Sequence, residues 1–271
     1  MNLLIQAEEE EDISLSEQLA VRLGVSAGRV GEELFSDLLS AAAMILHAST
    51  HNGLSLSAPQ INKKARVSIS FHSGALTHRR LYGGGKSQSI AKAIGITPGS
   101  RVRVVDATGG LGSDGFTLAS LGAEVTCVER SPVLSVLLED AMHRAIIFAE
   151  DTGDEDLQGV LRRFKVVEAD SLSWLASASS VDAEVVYLDP MFPERKKSAS
   201  VKKEMQVLQA LLGKEPQQDE RLLAAALARA SHRVVVKRPR HAPPIIGPAP
   251  QYSIEGKTTR FDIYPLKSLK K

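Results

Sequence analysis

Cysteine is nearly absent from this chain of 271 residues: Cys127 stands alone. A single thiol excludes an intramolecular disulfide framework and suits a reducing compartment. A charge of one sign is missing too, since 33 Lys and Arg face 32 Asp and Glu for a net +1. With no overall field to draw in a polyanion, any nucleic-acid contact must come from a local basic patch. No apolar run approaches the roughly 18 residues needed to span a membrane. The opening residues have neither a basic leader nor a long apolar core and turn acidic at Glu8–Asp12, which does not read as a signal peptide. The expectation is a cytoplasmic protein that engages no membrane. Hydrophobic content of 43% and charged content of 24% are ordinary for a globular chain. The length allows one large α/β domain with a smaller appendage.

Past residue 101, short apolar runs alternate with helical stretches, the pattern of a parallel sheet wrapped by helices. The runs are Val102–Asp106, Glu124–Glu129, Phe164–Ala169, Glu184–Asp189 and Arg233–Lys237. Most are continuous, as strands covered on both faces require. Ser131 and Pro132 open a helix with apolar Val133, Val136, Leu137 and Met142 at helical spacing. Val201, Met205, Leu208 and Leu212 mark a second helix ending near Gly213, and Leu222–Ala230 a third. Tyr252–Ile254 and Arg260–Tyr264 read as a closing hairpin, an antiparallel edge to the sheet. Ahead of this main domain (78–271), residues 1–77 read as a small α+β region. Its expected helices are Glu17–Leu23 and Glu32–His47, with strands around Ser55 and at Val67–Phe71.

Gly110, Gly112 and Gly115 match G-x-G-x-x-G between a strand and the helix Phe116–Leu121. Glycine permits a sharp turn and a close ligand approach, and the helix start presents free N–H groups. Glu129 ends the next strand, where an acid can hold two ribose hydroxyls. The plainer reading is that the glycines make a tight turn and Glu129 helps Ser131 cap a helix. Asp106 opens the loop and either binds loop amides or meets a ligand. Asp170, with Ser171, ends the third strand, where it either reaches a flat adenine edge or caps a helix. Open α/β sheets bind ligands outside the carboxyl ends of their strands, and Asp106, Glu129, Asp170 and Asp189 all fall there.

Asp189-Pro-Met-Phe-Pro193 is the sharper signal. It looks like the Asp/Asn-Pro-Pro-aromatic motif of S-adenosylmethionine-dependent amino methyltransferases. An exocyclic amino group on a base is a poor nucleophile because its lone pair is delocalised into the ring. The Asp189 carboxylate and Pro190 carbonyl could hold both N–H groups and aim the lone pair, while Phe192 stacks on the base. The structural alternative is a strand-ending turn with Phe192 in the core. Arg195, Lys196, Lys197, Lys202 and Lys203 cluster beside this segment, with Lys237 and Arg238 on the adjacent strand. A solvated face would explain them, but their position favours a grip on polynucleotide phosphates. Gly83–Ser87 fails as a P-loop because Arg80 stands where glycine is needed, though Arg79, Arg80 and Lys86 could lie near RNA. His47 and His51 have metal-like spacing but no completing ligand, and no metal is expected. Cys127 reads as core.

The whole is similar to a known family. Asp106-Ala-Thr-Gly-Gly-Leu-Gly112, Glu129-Arg130, Val186–Pro193, Lys196–Ala199, Val201–Met205, Val234–Pro239 and Arg260–Tyr264 resemble the bacterial small-subunit ribosomal RNA guanine-N2 methyltransferases of the RsmJ type. The likeness runs through most of 78–265. It implies a Rossmann-like class I methyltransferase fold: a mostly parallel seven-stranded sheet with one antiparallel strand. It also implies S-adenosyl-L-methionine as cofactor and methyl transfer to N2 of a guanosine in 16S rRNA or the small ribosomal subunit. Carried onto this chain, cofactor contacts fall at Ser113, Asp114, Glu129, Arg130, Asp170, Ser171 and Asp189, beside the loop positions Asp106, Gly110 and Gly112. Asp189 could serve the base, the cofactor or both. Rival readings are a dinucleotide-dependent oxidoreductase, a non-catalytic RNA-binding factor, and a methyltransferase for a protein amide or small amine.

Overall fold

A computed structural model describes residues 3–29, 42–83, 88–97, 99, 101–177, 182–190, 203–213 and 218–268. They fall into two compact units. Met1–Ile69, Glu139–Arg144 and Glu194–Lys214 make the first, and Ser70–Leu138, Ala145–Pro193 and Glu215–Lys271 the second. The division thus lies eight residues before the expected 77/78 boundary, and later segments join the first unit.

The first unit holds a five-stranded sheet of β1 (Leu3–Ala7), β2 (Ser26–Arg29), β3 (Met44–Ala48), β4 (Ser55–Ala58) and β5 (Asn62–Ser68), in the order β2-β1-β3-β4-β5. β1 pairs in parallel with β2 and β3, and the rest is antiparallel. The parallel β1–β2 pair needs a crossover, which α1 (Ile13–Leu23) supplies before Gly24, at φ +65, ends it. Two expectations need correction. The helix read over Glu32–His47 ends instead in β3, whose five residues are all buried, while 30–41 lie outside the described residues. A short run buried on both faces carries no period to separate strand from helix. β1 and β2 were also not anticipated, because their short runs lie among acidic and small residues.

The second unit is built on β6 (Arg103–Asp106), β7 (Glu124–Glu129), β8 (Phe164–Glu168), β9 (Val185–Leu188), β10 (Arg233–Pro239), β11 (Tyr252–Glu255) and β12 (Thr259–Pro265). The order is β11-β12-β10-β9-β6-β7-β8, and β12 alone runs against the others, as expected. Its helices are α2 (Gly74–Tyr82), α3 (Ser89–Ile94), α4 (Ser113–Ser120), α5 (Pro132–Thr152), α6 (Glu155–Arg163), α7 (Ser171–Ala176) and α9 (Gln218–Arg229); α8 (Lys203–Leu212) and the stretch Glu139–Arg144 of α5 are assigned to the first unit. Continuous apolar β-branched runs put β6, β9 and β10 under cover on both faces; every residue of β9 is buried. The Ser131 hydroxyl accepts the Leu134 N–H to open α5, with Pro132 in its first turn. From β6 the chain winds outward through β7 and β8, then returns to the other side as β9. That reversal opens a crevice at the carboxyl ends of β6 and β9.

Candidate active site

Asp106 ends β6 and leads into the glycine loop that opens α4. Gly110 and Gly112 take φ of +54° and +69°, which side-chain-bearing residues adopt at a cost. At Gly112 a methyl group would also stand 2.7 Å from Leu138, and at Gly115 2.9 Å from Phe164. These two glycines let the loop press onto a cluster in which Phe71 stacks on Phe116 at 4.5 Å and meets Phe164 edge-on at 5.4 Å. Gly110 differs. Only the Thr108 carbonyl, at 3.7 Å, would meet its added carbon, so the backbone there is open to a ligand's approach.

Three of the four strand-end acids are held by backbone. The Glu129 carboxylate accepts N–H groups from Gly110 and Ser131, each at 2.7 Å, and is 5% exposed. Burial raises its pKa, against those two hydrogen bonds and the Arg130 charge. The plainer reading, turn plus cap, accounts for both bonds, and each oxygen keeps a second lone pair. Asp106 accepts the Thr108 N–H at 3.1 Å and its hydroxyl at 3.2 Å. Burial, then the neighbouring Asp114 charge, pushes Asp106 up to about 7. Asp170 caps α7 by accepting the Ser173 N–H and hydroxyl, both at 2.9 Å, and these bonds lower its pKa. Ser171 donates its hydroxyl to the Ala107 carbonyl at 2.8 Å, tying α7 to the loop after β6.

Asp189 is held differently. Its N–H donates to the Thr108 hydroxyl at 2.6 Å, and its carboxylate accepts from the Lys237 ammonium at 2.8 Å. Lys237 also donates to Asp114 at 2.6 Å, and the buried Tyr187 hydroxyl donates to the same Asp114 oxygen at 2.6 Å. Strand register explains the meeting: Val236 pairs with Leu188, so Lys237 and Asp189 each follow one residue on. Burial opposes charge on Lys237, yet the two carboxylates hold it above the usual lysine range. Burial raises the Asp189 pKa, and Lys237 pulls the other way. The Asp189 side chain remains 39% exposed, against 16% for Asp114 and 25% for Lys237.

Two cations of the expected basic patch have partners within the fold. Lys237, expected on phosphates, is committed to two carboxylates. Arg238 is 4% exposed and donates to the Pro243 carbonyl at 2.9 and 3.2 Å, so its guanidinium serves the fold. Arg80, which sequence left as one possible neighbour of RNA, is held by Asp154 and Asp156, both at 2.6 Å. Phe192, Arg195, Lys196, Lys197 and Lys202 lie outside the described residues, as does the side chain of Lys203. Pro190 is buried, while Ser113 and Arg130 are exposed. In the first unit, buried His47 bonds Ser57 at 2.8 Å, and exposed His51 pairs with Glu11 at 2.7 Å. Cys127 is buried. Thr108 and Tyr187 are the polar residues that sequence reasoning missed. Thr108 could have been found from its place two residues after the strand-end acid. Among the described residues no cluster of His, Cys, Asp or Glu could hold a metal ion, and no helix is long and apolar enough to cross a membrane.

Comparison with known proteins gives the family. Residues 35–266 match the family model described as "Putative SAM-dependent methyltransferase". Ribosomal RNA small subunit methyltransferase J of Pseudomonas syringae pv. tomato is 45% identical over 254 residues, 94% of this chain and 92% of that protein. The protein of the same name from Pseudomonas aeruginosa (strain LESB58) is 53% identical over 205 residues, 76% of each. Among solved structures, a SAM-dependent methyltransferase from Neisseria gonorrhoeae superposes with a TM-score of 0.69 at 31% identity, covering 97% of this chain and 95% of that one.

Proposed function

The chain belongs to the SAM-dependent methyltransferase family, and we propose that its methyl acceptor is the exocyclic N2 amino group of a guanosine in small-subunit ribosomal RNA. S-adenosyl-L-methionine is its cofactor and supplies the methyl group when bound. The edge of the second unit's sheet suits that group. Gly110 leaves backbone open, Glu129 retains acceptor capacity for ribose hydroxyls, and Asp170–Ser171 stands at the end of β8 for an adenine edge. Asp106, Gly112, Ser113, Asp114 and Arg130 complete the cofactor contacts in this reading.

The observation that carries the acceptor assignment is Asp189: a half-exposed carboxylate fixed at the switch point by Thr108 and Lys237. With the Pro190 carbonyl it can accept both N–H groups of an amine and favour a lone pair directed at the methyl donor. Asp189 also stands where the proton shed by the nitrogen can be taken up. Phe192 stacks on the base, and Arg195, Lys196, Lys197, Lys202 and Lys203 hold phosphates. The ribosomal substrate is supported by relatives named for it and by this basic cluster. Purified protein, labelled cofactor and 16S rRNA or small subunits test the reading. N2-methylguanosine in the digested RNA is the expected product. A label found only on protein or small amines would overturn it.

A further inference from the structure

Lys237, within β10, sits between two acids where a basic residue would more simply face solvent. Its ammonium touches Asp114 from the start of α4 and Asp189 from the end of β9, joining the loop that follows β6 to the acceptor segment. Among the described residues, Asp106, Asp114, Tyr187 and Lys237 are titratable groups whose charges bear on Asp189, and Lys237 is the cation in contact with its carboxylate. Two carboxylates sharing so small a space without a counter-charge cannot both ionise near neutrality. A protonated Asp189 would present a donor where an amine needs an acceptor.

We propose that Lys237 is a positioning residue for methyl transfer, keeping the Asp189 carboxylate ionised and oriented toward the acceptor amino group. The proposal rests on the reading of Asp189 as the group that holds the amine. Tyr187 completes the arrangement: its hydroxyl occupies Asp114 from the buried side, so Asp114 steadies Lys237 and does not compete for the acceptor.

The test compares Lys237→Met, Lys237→Arg and Asp114→Asn with wild type, all checked for folding by circular dichroism. Transfer rates at saturating cofactor and RNA are followed across pH. In Lys237→Met the acid limb moves up by about one pH unit or more, so the rate falls roughly tenfold at pH values below the wild-type limb and recovers in alkali. Lys237→Arg keeps the limb, and Asp114→Asn shifts it down, since a like charge has gone. The KM for RNA stays constant throughout. Carboxyl-carbon NMR of Asp189 in the ligand-free protein should show the same upward shift in Lys237→Met. An equal loss at every pH, with the Asp189 titration unmoved, would reduce Lys237 to a structural ion pair. A raised RNA KM with a weaker salt dependence and an unmoved limb would return it to phosphate binding. If wild type makes no N2-methylguanosine, the functional reading fails, while the NMR titration still decides the Lys237–Asp189 coupling.

Discussion

Glu129 and Asp189 end parallel strands on the same sheet edge, yet the fold treats them oppositely. Glu129 is almost wholly buried, with both oxygens on backbone N–H groups of its own neighbourhood. Asp189 is 39% exposed and held by a side chain from the next strand. A carboxylate bound by backbone is fixed once the loop folds, and removing it strips partners from the loop itself. A carboxylate bound by a lysine depends on a movable charge and can trade that partner for a ligand. In the proposed function the first arrangement shapes a cradle for the cofactor, and the second keeps the Asp189 carboxylate ready for the acceptor amine.

The sharpest way to break this contrast is to delete each acid. Asp189→Ala should reduce methyl transfer by a hundredfold or more, on the order of the effect of losing a transition-state hydrogen-bond partner. Lys237 keeps Asp114, so the melting temperature should barely move. Near-wild-type turnover in a rate assay would remove Asp189 from the chemistry. Glu129→Ala should do the reverse in stability, because two backbone N–H groups lose their acceptor at a cost of about 1–3 kcal/mol. Its thermal melt should fall by several degrees and its affinity for S-adenosylhomocysteine by calorimetry should drop. An unshifted melt would mean that the loop does not depend on the acid.

Much of the second unit was legible because parallel strands covered on both faces announce themselves as continuous runs, and Gly110, Gly112 and Gly115 obey a steric demand that sequence displays. The closing hairpin was legible because a proline-rich stretch isolates it from β10, although β11 and not β12 forms the edge of the sheet. What sequence hid was direction. Lys237 and Arg238 are adjacent and both basic, but strand alternation sends one to the carboxylates and the other to the Pro243 carbonyl. The register of Val236 on Leu188 decides that Lys237 reaches Asp189, and register is a tertiary fact. In the first unit, Met44–Ala48 lacked a period of either kind, so the expected helix there gave way to a central strand.

With Lys237 and Arg238 engaged by Asp114, Asp189 and Pro243, the proposed grip on phosphates rests on the residues after Asp189. Lys196→Ala with Lys197→Ala should weaken RNA binding several-fold and reduce the slope of log affinity against log salt by about 0.7–0.9 for each phosphate no longer neutralised. The single-cation changes Arg79→Ala and Lys86→Ala offer the control: a slope that falls with them, and not with the pair, would move the RNA path away from Asp189.

A last comparison, in which opposing slopes leave wild type little net change, sets buried groups of the two units against each other. Asp106 titrates at about 7 in the fold against an ordinary 3.8, through burial and then Asp114. Between those values the folded chain keeps a proton that the unfolded chain has released, so this group's contribution to stability falls as pH rises. His47 titrates at about 4 against an ordinary 6.5, through burial and then Arg66. Between those values the unfolded chain binds the extra proton, so its contribution is lost as pH falls. In the overlapping window of about pH 4–6.5 the two slopes oppose, and wild type should show a flattened stability curve. Asp106→Asn retains an acceptor for the Thr108 N–H and should gain on wild type as pH rises through that window. His47→Gln should gain as pH falls. Thermal melts of both variants and wild type at matched ionic strength measure these differences, and parallel curves for all three would show that neither burial shifts protonation.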